Sequence, residues 1–207
     1  GSDEANALIM ILLEHYFGID KVKIALNPEL RLSESELLTL HFAVKELLKN
    51  KPVQYVTGET EFCGMRFSVN ENVLIPRPET EEMVKMITNS VDTRRATSIP
   101  NSILDIGTGS GCIAISLAKL LKNSLVTAVD VSEKALEVAN KNAEANSAPA
   151  TFIKDDILNP QNHGLLNGQF DIIVSNPPYV CESEKSEMRA NVLDYEPSTA
   201  LFVSDHD

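Results

Sequence analysis

The apolar run FDIIV leads directly into Ser175, Asn176, Pro177, Pro178, Tyr179 and Val180. Two successive prolines end regular structure, because neither has an N–H to donate to a ladder and both fix φ. They leave one planar amide, Asn176, and one phenol, Tyr179, held at the break. Such a segment is either a loop that merely stops a strand or the rigid rim of a site.

A second chemical feature lies upstream. In LDIGTGSGCIAISLA an apolar strand runs into Gly107, Thr108, Gly109, Ser110 and Gly111, and then into a helix. Glycines permit a tight turn and let backbone approach a ligand closely, while a helix start offers unpaired N–H groups. The dinucleotide fingerprint wants GxGxxG, whereas this loop reads GxGxG with Cys112 and Ile113 where the third glycine should fall. A tight turn without a ligand is the remaining alternative.

Acidic residues recur at the ends of the following strands. Asp130 closes LVTAVD about 20 residues beyond the loop, where a carboxylate can accept hydrogen bonds from ribose hydroxyls. It can equally serve as a cap-region acid for a helix starting near Ser132. Asp155 and Asp156 close the next strand, followed by Ile157. One aspartate can bond an adenine amino group and Ile157 can face the ring, or either acid can be a turn residue.

The elements that must hold these residues alternate. Strand SILDI, a helix from Cys112 to Leu121, strand LVTAVD, helix SEKALEVANKNAEAN, and strands ATFIKD and FDIIVS predict βαβ units and a parallel, doubly wound α/β sheet. Ahead of them, residues 3–17 read as an amphipathic helix with Ala7, Leu8, Met10, Ile11 and Leu12 as its apolar face and Gly18 as its stop. Ser33 and Glu36 form a capping-box pattern for a second helix. VQYVTGETEFCGMRFSVNENVLIP is β-rich and predicts a hairpin turning near Cys63 and Gly64. RPETEEMVKMITNS returns to helix, with Pro78 in its first turn. The expected division is residues 1–51 as a helical domain, 52–76 as a β-hairpin connector and 77–207 as the sheet domain.

Composition narrows the function classes. The chain has 207 residues, 43% hydrophobic, and a formal net charge of −12, which opposes sequence-independent binding to a phosphate backbone. Cys63, Cys112 and Cys181 form no CxxC pair, and His15, His41, His163 and His206 show no metal spacing, so neither a disulfide framework nor a metal site is indicated. No apolar stretch approaches a membrane span and no secretory signal is evident, so cytoplasm is the expected compartment.

Taken in order, DIGTGSG, AVD, KDDI and SNPPY resemble the class I S-adenosylmethionine-dependent methyltransferases, with a Rossmann-like fold. The NPPY form is similar to the branch that methylates amide or exocyclic amino nitrogens, which includes DNA adenine methyltransferases and the PrmC/HemK family of release factor glutamine methyltransferases. PVQYVTGETEFCGMRFSVNENVLIPRPETE, YEPSTALF and the N-terminal helical segment favour the latter.

That resemblance implies transfer of a methyl group from S-adenosylmethionine to N5 of the glutamine in the GGQ motif of a peptide chain release factor, leaving S-adenosylhomocysteine. It implies that Gly107, Thr108, Gly109, Ser110, Gly111 and Asp130 bind the cofactor and that Asp156 and Ile157 border its adenine. Asn176, Pro177, Pro178 and Tyr179 then hold the glutamine side chain, with Asn176 also facing the cofactor. The residues 1–51 help to hold the protein substrate. Ile157 stands where the family often has an aromatic residue, and Glu79 stands for a common Asp. Arg77 and Glu79 serve either the roof of the pocket or an ion pair between domains. A complete sheet of this class has more strands than the four counted here, so the domain is expected to be truncated at its C-terminus. Adenine-N6 methylation of DNA or RNA, and a non-catalytic cofactor-binding fragment, are the alternatives.

Overall fold

A computed structural model describes residues 2–92, 101–161 and 168–205. Its first part is helical: α1 (Ser2–Phe17), α2 (Lys21–Leu26), α3 (Glu34–Leu47) and α4 (Val53–Thr57). Gly18, at φ 60°, stops α1 as expected, its amide returning to the Glu14 carbonyl at 2.9 Å. Ser33 caps α3 by the expected box: its Oγ accepts the Glu36 amide at 3.4 Å, and Glu36 Oε2 accepts the Ser33 amide at 2.7 Å.

Three features here depart from the sequence reading. Helix α2 is too short for periodicity to reveal it; Asp20 starts it by accepting the Lys23 amide at 2.7 Å. VQYV is helix α4 rather than strand, because Gly58 at φ 76° stops the turn and the buried Tyr55 hydroxyl anchors it to the Val73 carbonyl at 2.6 Å. Finally, of the apolar face assigned to α1 only Leu12 is fully buried; Ala7 and Ile11 remain exposed, since α1 packs chiefly on α3 and α4.

The expected hairpin forms from β1 (Glu59–Phe62) and β2 (Met65–Ser68). It turns at Cys63 and Gly64, with φ of 50° and 71°, the doubly positive geometry whose twist matches paired strands. Phe62 and Phe67 point inward, edge to face at 6.0 Å between ring centroids, and join Val84, Ile103, Ile115 and Leu117 in the main core. The hairpin is therefore plugged into the sheet domain. Helix α5 (Pro78–Asp92) secures its turn, Glu81 Oε1 accepting the Cys63 amide at 2.7 Å.

The sheet domain follows the predicted alternation: β3 (Asn101–Ile106), α6 (Cys112–Leu120), β4 (Ser124–Asp130), α7 (Glu133–Ala145), β5 (Ala150–Lys154) and β6 (Ile172–Ser175). All four strands run parallel in the order β5-β4-β3-β6. The apolar strands need cover on both faces, and α6 is buried from Cys112 to Ala118. Strand β6 lies on the opposite side of β3 from β4, so the winding reverses between β3 and β6. That reversal opens a crevice beyond the carboxyl ends of the strands, where doubly wound sheets take their ligands.

Beyond β6, the two-residue strands β7 (Val180–Cys181) and β8 (Phe202–Val203) pair in parallel, with a short helix α8 (Ala190–Leu193) between them. Elements this brief leave no periodic signal. Among the described residues no helix is long and apolar enough to cross a membrane.

Candidate active site

The glycine loop occupies the carboxyl end of β3. Gly107, Gly109 and Gly111 have φ of 72°, 55° and 80°, a left-handed backbone that residues with a Cβ resist. The Gly107 and Thr108 amides bond the Val129 carbonyl at 2.9 and 3.1 Å, tying the loop to β4. Among the described residues, chain neighbours aside, no atom lies within 4 Å of where a Cβ would stand on Gly107 or Gly109, so the loop is open there. Gly111 differs: a Cβ there would meet Ile115 Cδ1 at 2.9 Å and Ala139 Cβ at 3.1 Å.

Asp130 ends β4 beside this loop. Its Oδ2 accepts the Gly109 amide at 2.8 Å and its Oδ1 the Ser132 amide at 2.9 Å. The carboxylate thus shapes the loop and holds the amide of Ser132, the N-cap residue of α7, which is the cap-region role open in the sequence. Each oxygen retains acceptor capacity for a further donor.

Asp105, two residues before the loop, was not singled out from sequence. It is fully buried, and its Oδ2 accepts both the Thr108 hydroxyl at 2.7 Å and the Ala114 amide at 3.2 Å, joining the two ends of the loop from beneath. Oδ1 has no hydrogen-bond partner among the described residues. Burial pushes the carboxyl up to about 6, against the lowering effect of those two donors and with a further push from the charge on Asp130. An acid inside an apolar strand was the available signal.

Asp155 and Asp156 separate clearly. Asp155 is buried, and its side chain accepts the Asp156 amide at 2.9 Å and the Gln161 amide at 2.9 Å, the work of a turn residue. Asp156 is exposed and makes a local turn with the Leu158 amide at 3.0 Å. Half-buried Ile157 follows it at the end of β5.

Asn176 to Tyr179 emerge from β6 directly beside the glycine loop. Ser175 is in register with Ile106, and its hydroxyl donates to the Ile106 carbonyl at 2.8 Å. Asn176 Nδ2 reaches Oγ1 of buried Thr80 at 3.5 Å, the long limit of a hydrogen bond. Tyr179 is 76% exposed at the rim and stacks on no ring among the described residues.

Thr80 is reached through the segment that carries Arg77 and Glu79. The Thr80 amide bonds the Arg77 carbonyl at 3.0 Å, and the Arg77 guanidinium pairs with Glu196 at 2.6 Å. Arg77 is thus in an ion pair, while Glu79 is exposed in the first turn of α5. Glu196 had no local signal, because its partner lies far away in sequence. The five loop residues, Asp130 and Asn176 through Tyr179 share one edge around the winding reversal; Asp156 and Ile157 follow β5, which ends at Lys154 on the far side of β4. An open cleft of about 360 Å³ beside α1, lined by His15, Gln54, Glu59 and Arg66, includes none of these residues.

Comparison with known proteins shows the family. A family model described as the methyltransferase small domain matches residues 84–194, and one described as the PrmC N-terminal domain matches residues 1–58. A Flavobacterium psychrophilum protein named release factor glutamine methyltransferase is 51% identical over 205 residues, covering 99% of this chain and 70% of its own length. Proteins of the same name from Bacteroides thetaiotaomicron and Chlorobaculum tepidum are 47% and 42% identical, matched over 71% and 69% of their lengths and over 99% and 97% of this chain.

Proposed function

Because the chain belongs to the release factor glutamine methyltransferase family, we propose that it methylates N5 of the glutamine in the GGQ motif of a peptide chain release factor, using S-adenosylmethionine. The observation that carries this reading is the register of Ser175 with Ile106, which sets the Asn176 amide beside the glycine loop at the winding reversal.

The residues present fit the cofactor. The loop from Gly107 to Gly111 is an open cradle of left-handed glycines, and Asp130 offers acceptors next to it for ribose hydroxyls. Asp156, exposed at the end of β5, is the acid available to the adenine amino group, since Asp155 is spent on its own turn; Ile157 lies next to it. Bound there, S-adenosylmethionine supplies an activated methyl group.

The protein's own task is to present the acceptor nitrogen. An amide nitrogen is a poor nucleophile because its lone pair is delocalised into the carbonyl. The Asn176 side-chain oxygen and the Pro177 carbonyl accept hydrogen bonds from the two amide N–H groups, fix the NH₂ group and turn its lone pair toward the methyl; as the C–N bond forms, one of those protons is released to solvent and the amide returns to neutrality. Charge develops on that nitrogen as the bond forms, so acceptors around it favour the transition state over the ground state. Thr80 accepts from the Asn176 NH₂, which leaves the Asn176 oxygen to the substrate amide, and Pro177 and Pro178 keep the carbonyls in place with little further ordering. The exposed Tyr179 ring is available to cover the substrate amide.

Residues 1–51 are the part that grips the protein substrate, joined through residues 52–76 to the methyltransferase part, 77–207. Leu37, Leu38 and Phe42 on α3 support this, being apolar yet more than half exposed. An enzyme acting on translation factors works in the cytoplasm.

The test supplies labelled S-adenosylmethionine with an intact release factor, with a release factor whose GGQ glutamine is replaced, and with DNA. Label is expected on the intact factor alone; label on DNA alone or on the replaced factor would overturn the reading. Asn176→Ala is expected to abolish transfer while cofactor affinity stays within a few-fold.

A further inference from the structure

Asn142 lies in α7 with 1% of its surface exposed, and among the described residues its side chain bonds backbone alone. Its Oδ1 accepts the Ser68 amide at 2.7 Å, and its Nδ2 donates to the Ser68 carbonyl at 3.0 Å and to the Ser110 carbonyl at 2.9 Å. One amide therefore pairs with the end of β2 as a neighbouring strand would, and continues into the glycine loop. A buried amide is costly unless satisfied, and here both N–H groups and the oxygen are used.

The same face of α7 makes the neighbouring contacts. Ala139, three residues earlier, packs against Gly111, and Asn146, four residues later, donates to the Arg66 carbonyl at 2.8 Å. Hairpin and loop are thus seated against one row of side chains. Of these, Asn142 is the residue that bonds both.

We propose that Asn142 is a positioning residue that sets the Ser110 carbonyl according to the seating of the β1–β2 hairpin, so that hairpin order and cofactor affinity are coupled. Such coupling is reciprocal: a ligand that orders the loop must tighten the hairpin by the same free energy. The inference rests on the assignment of Gly107 to Gly111 to S-adenosylmethionine.

The test measures S-adenosylhomocysteine binding by calorimetry and amide exchange at Val69, whose N–H bonds the Gly58 carbonyl at 2.9 Å and shares its peptide group with the Ser68 carbonyl that Asn142 holds. In the wild type, saturating S-adenosylhomocysteine is expected to slow Val69 exchange several-fold. Asn142→Asp keeps the acceptor for Ser68 and loses both donors; Asn142→Leu removes all three bonds. Both are expected to bind about tenfold more weakly, with Val69 exchange no longer responding to ligand. A purely architectural role lowers the melting temperature but leaves affinity and the Val69 response intact, and that result overturns the proposal. Wild-type binding without any change at Val69 overturns it as well, even if neither variant folds. Absence of binding by the wild type would instead strike the cofactor assignment, and this inference with it.

Discussion

The Arg77 guanidinium donates to Glu196 Oε1 at 2.6 Å across 119 residues of sequence, while Oε2 accepts the Ile75 amide at 3.3 Å. The pair is asymmetric, since the Glu196 side chain is 2% exposed and that of Arg77 is 34%. Removing Arg77 strands a buried carboxylate, whereas neutralising Glu196 leaves an arginine that water can reach. Arg77→Ala is therefore expected to cost about 3 kcal/mol and Glu196→Gln about 1 kcal/mol. Urea unfolding measures both, and equal losses would show that burial does not govern this pair.

Asp130→Asn separates shape from charge. Asparagine retains one acceptor oxygen, so it cannot serve both the Gly109 and Ser132 amides as the carboxylate does. Calorimetry is expected to find S-adenosylhomocysteine binding weakened by at least tenfold, with unfolding free energy lowered by about 1 kcal/mol. Unchanged affinity would remove Asp130 from the cofactor site.

Asp105 predicts a pH dependence of defined sign. Its folded pKa, about 6, lies above the ordinary 3.8, so between these values the folded protein keeps a proton that the unfolded chain has released. Its contribution to stability is largest below that window and is lost as pH rises through about 6. Relative to wild type, Asp105→Asn should thus gain stability with rising pH, by roughly 1 kcal/mol per unit inside the window, and level off above it. Denaturant titrations on both sides of pH 6 test this; a constant difference would mean that Asp105 does not titrate there.

Two glycines of one loop should fail differently. Ala at Gly111 collides with Ile115 and with the helix at Ala139, on top of an unfavourable φ of 80°, for a loss of about 3 kcal/mol. Ala at Gly109 meets open space, so the cost is about 1 kcal/mol of backbone strain. Its methyl instead projects into the cradle, and cofactor affinity should fall while the fold persists. Melting temperature and calorimetry on the two variants distinguish these outcomes.

The elements around the site were legible wherever the apolar period was sustained or a cap was local. The four strands, α6, α7, the Ser33 box and the hairpin turn at Cys63 and Gly64 all form where patterning predicts. Helix α2, helix α4 and the paired strands β7 and β8 were not, because a few residues carry no period and packing decides among nearly equal local conformations. Likewise the exposure of Ile11 and Ala7 in α1 depends on how few elements stand near that helix, which no period encodes.

By itself the sequence determined the chemistry on offer: a glycine loop at a strand end, acids at Asp130 and Asp156, and a rigid Asn-Pro-Pro-Tyr after the last sheet strand. These follow from local properties, namely which residues tolerate left-handed φ, which lack an N–H and which carry an acceptor. Only the tertiary structure decided that Asp155 is spent on a turn, that Asn176 reaches Thr80, that Glu196 holds Arg77 and that Asn142 joins Ser68 to Ser110. Each of these last three relations spans dozens of residues. A polar side chain is read as ligand or scaffold only once burial and its partners are known, and both are made by the fold.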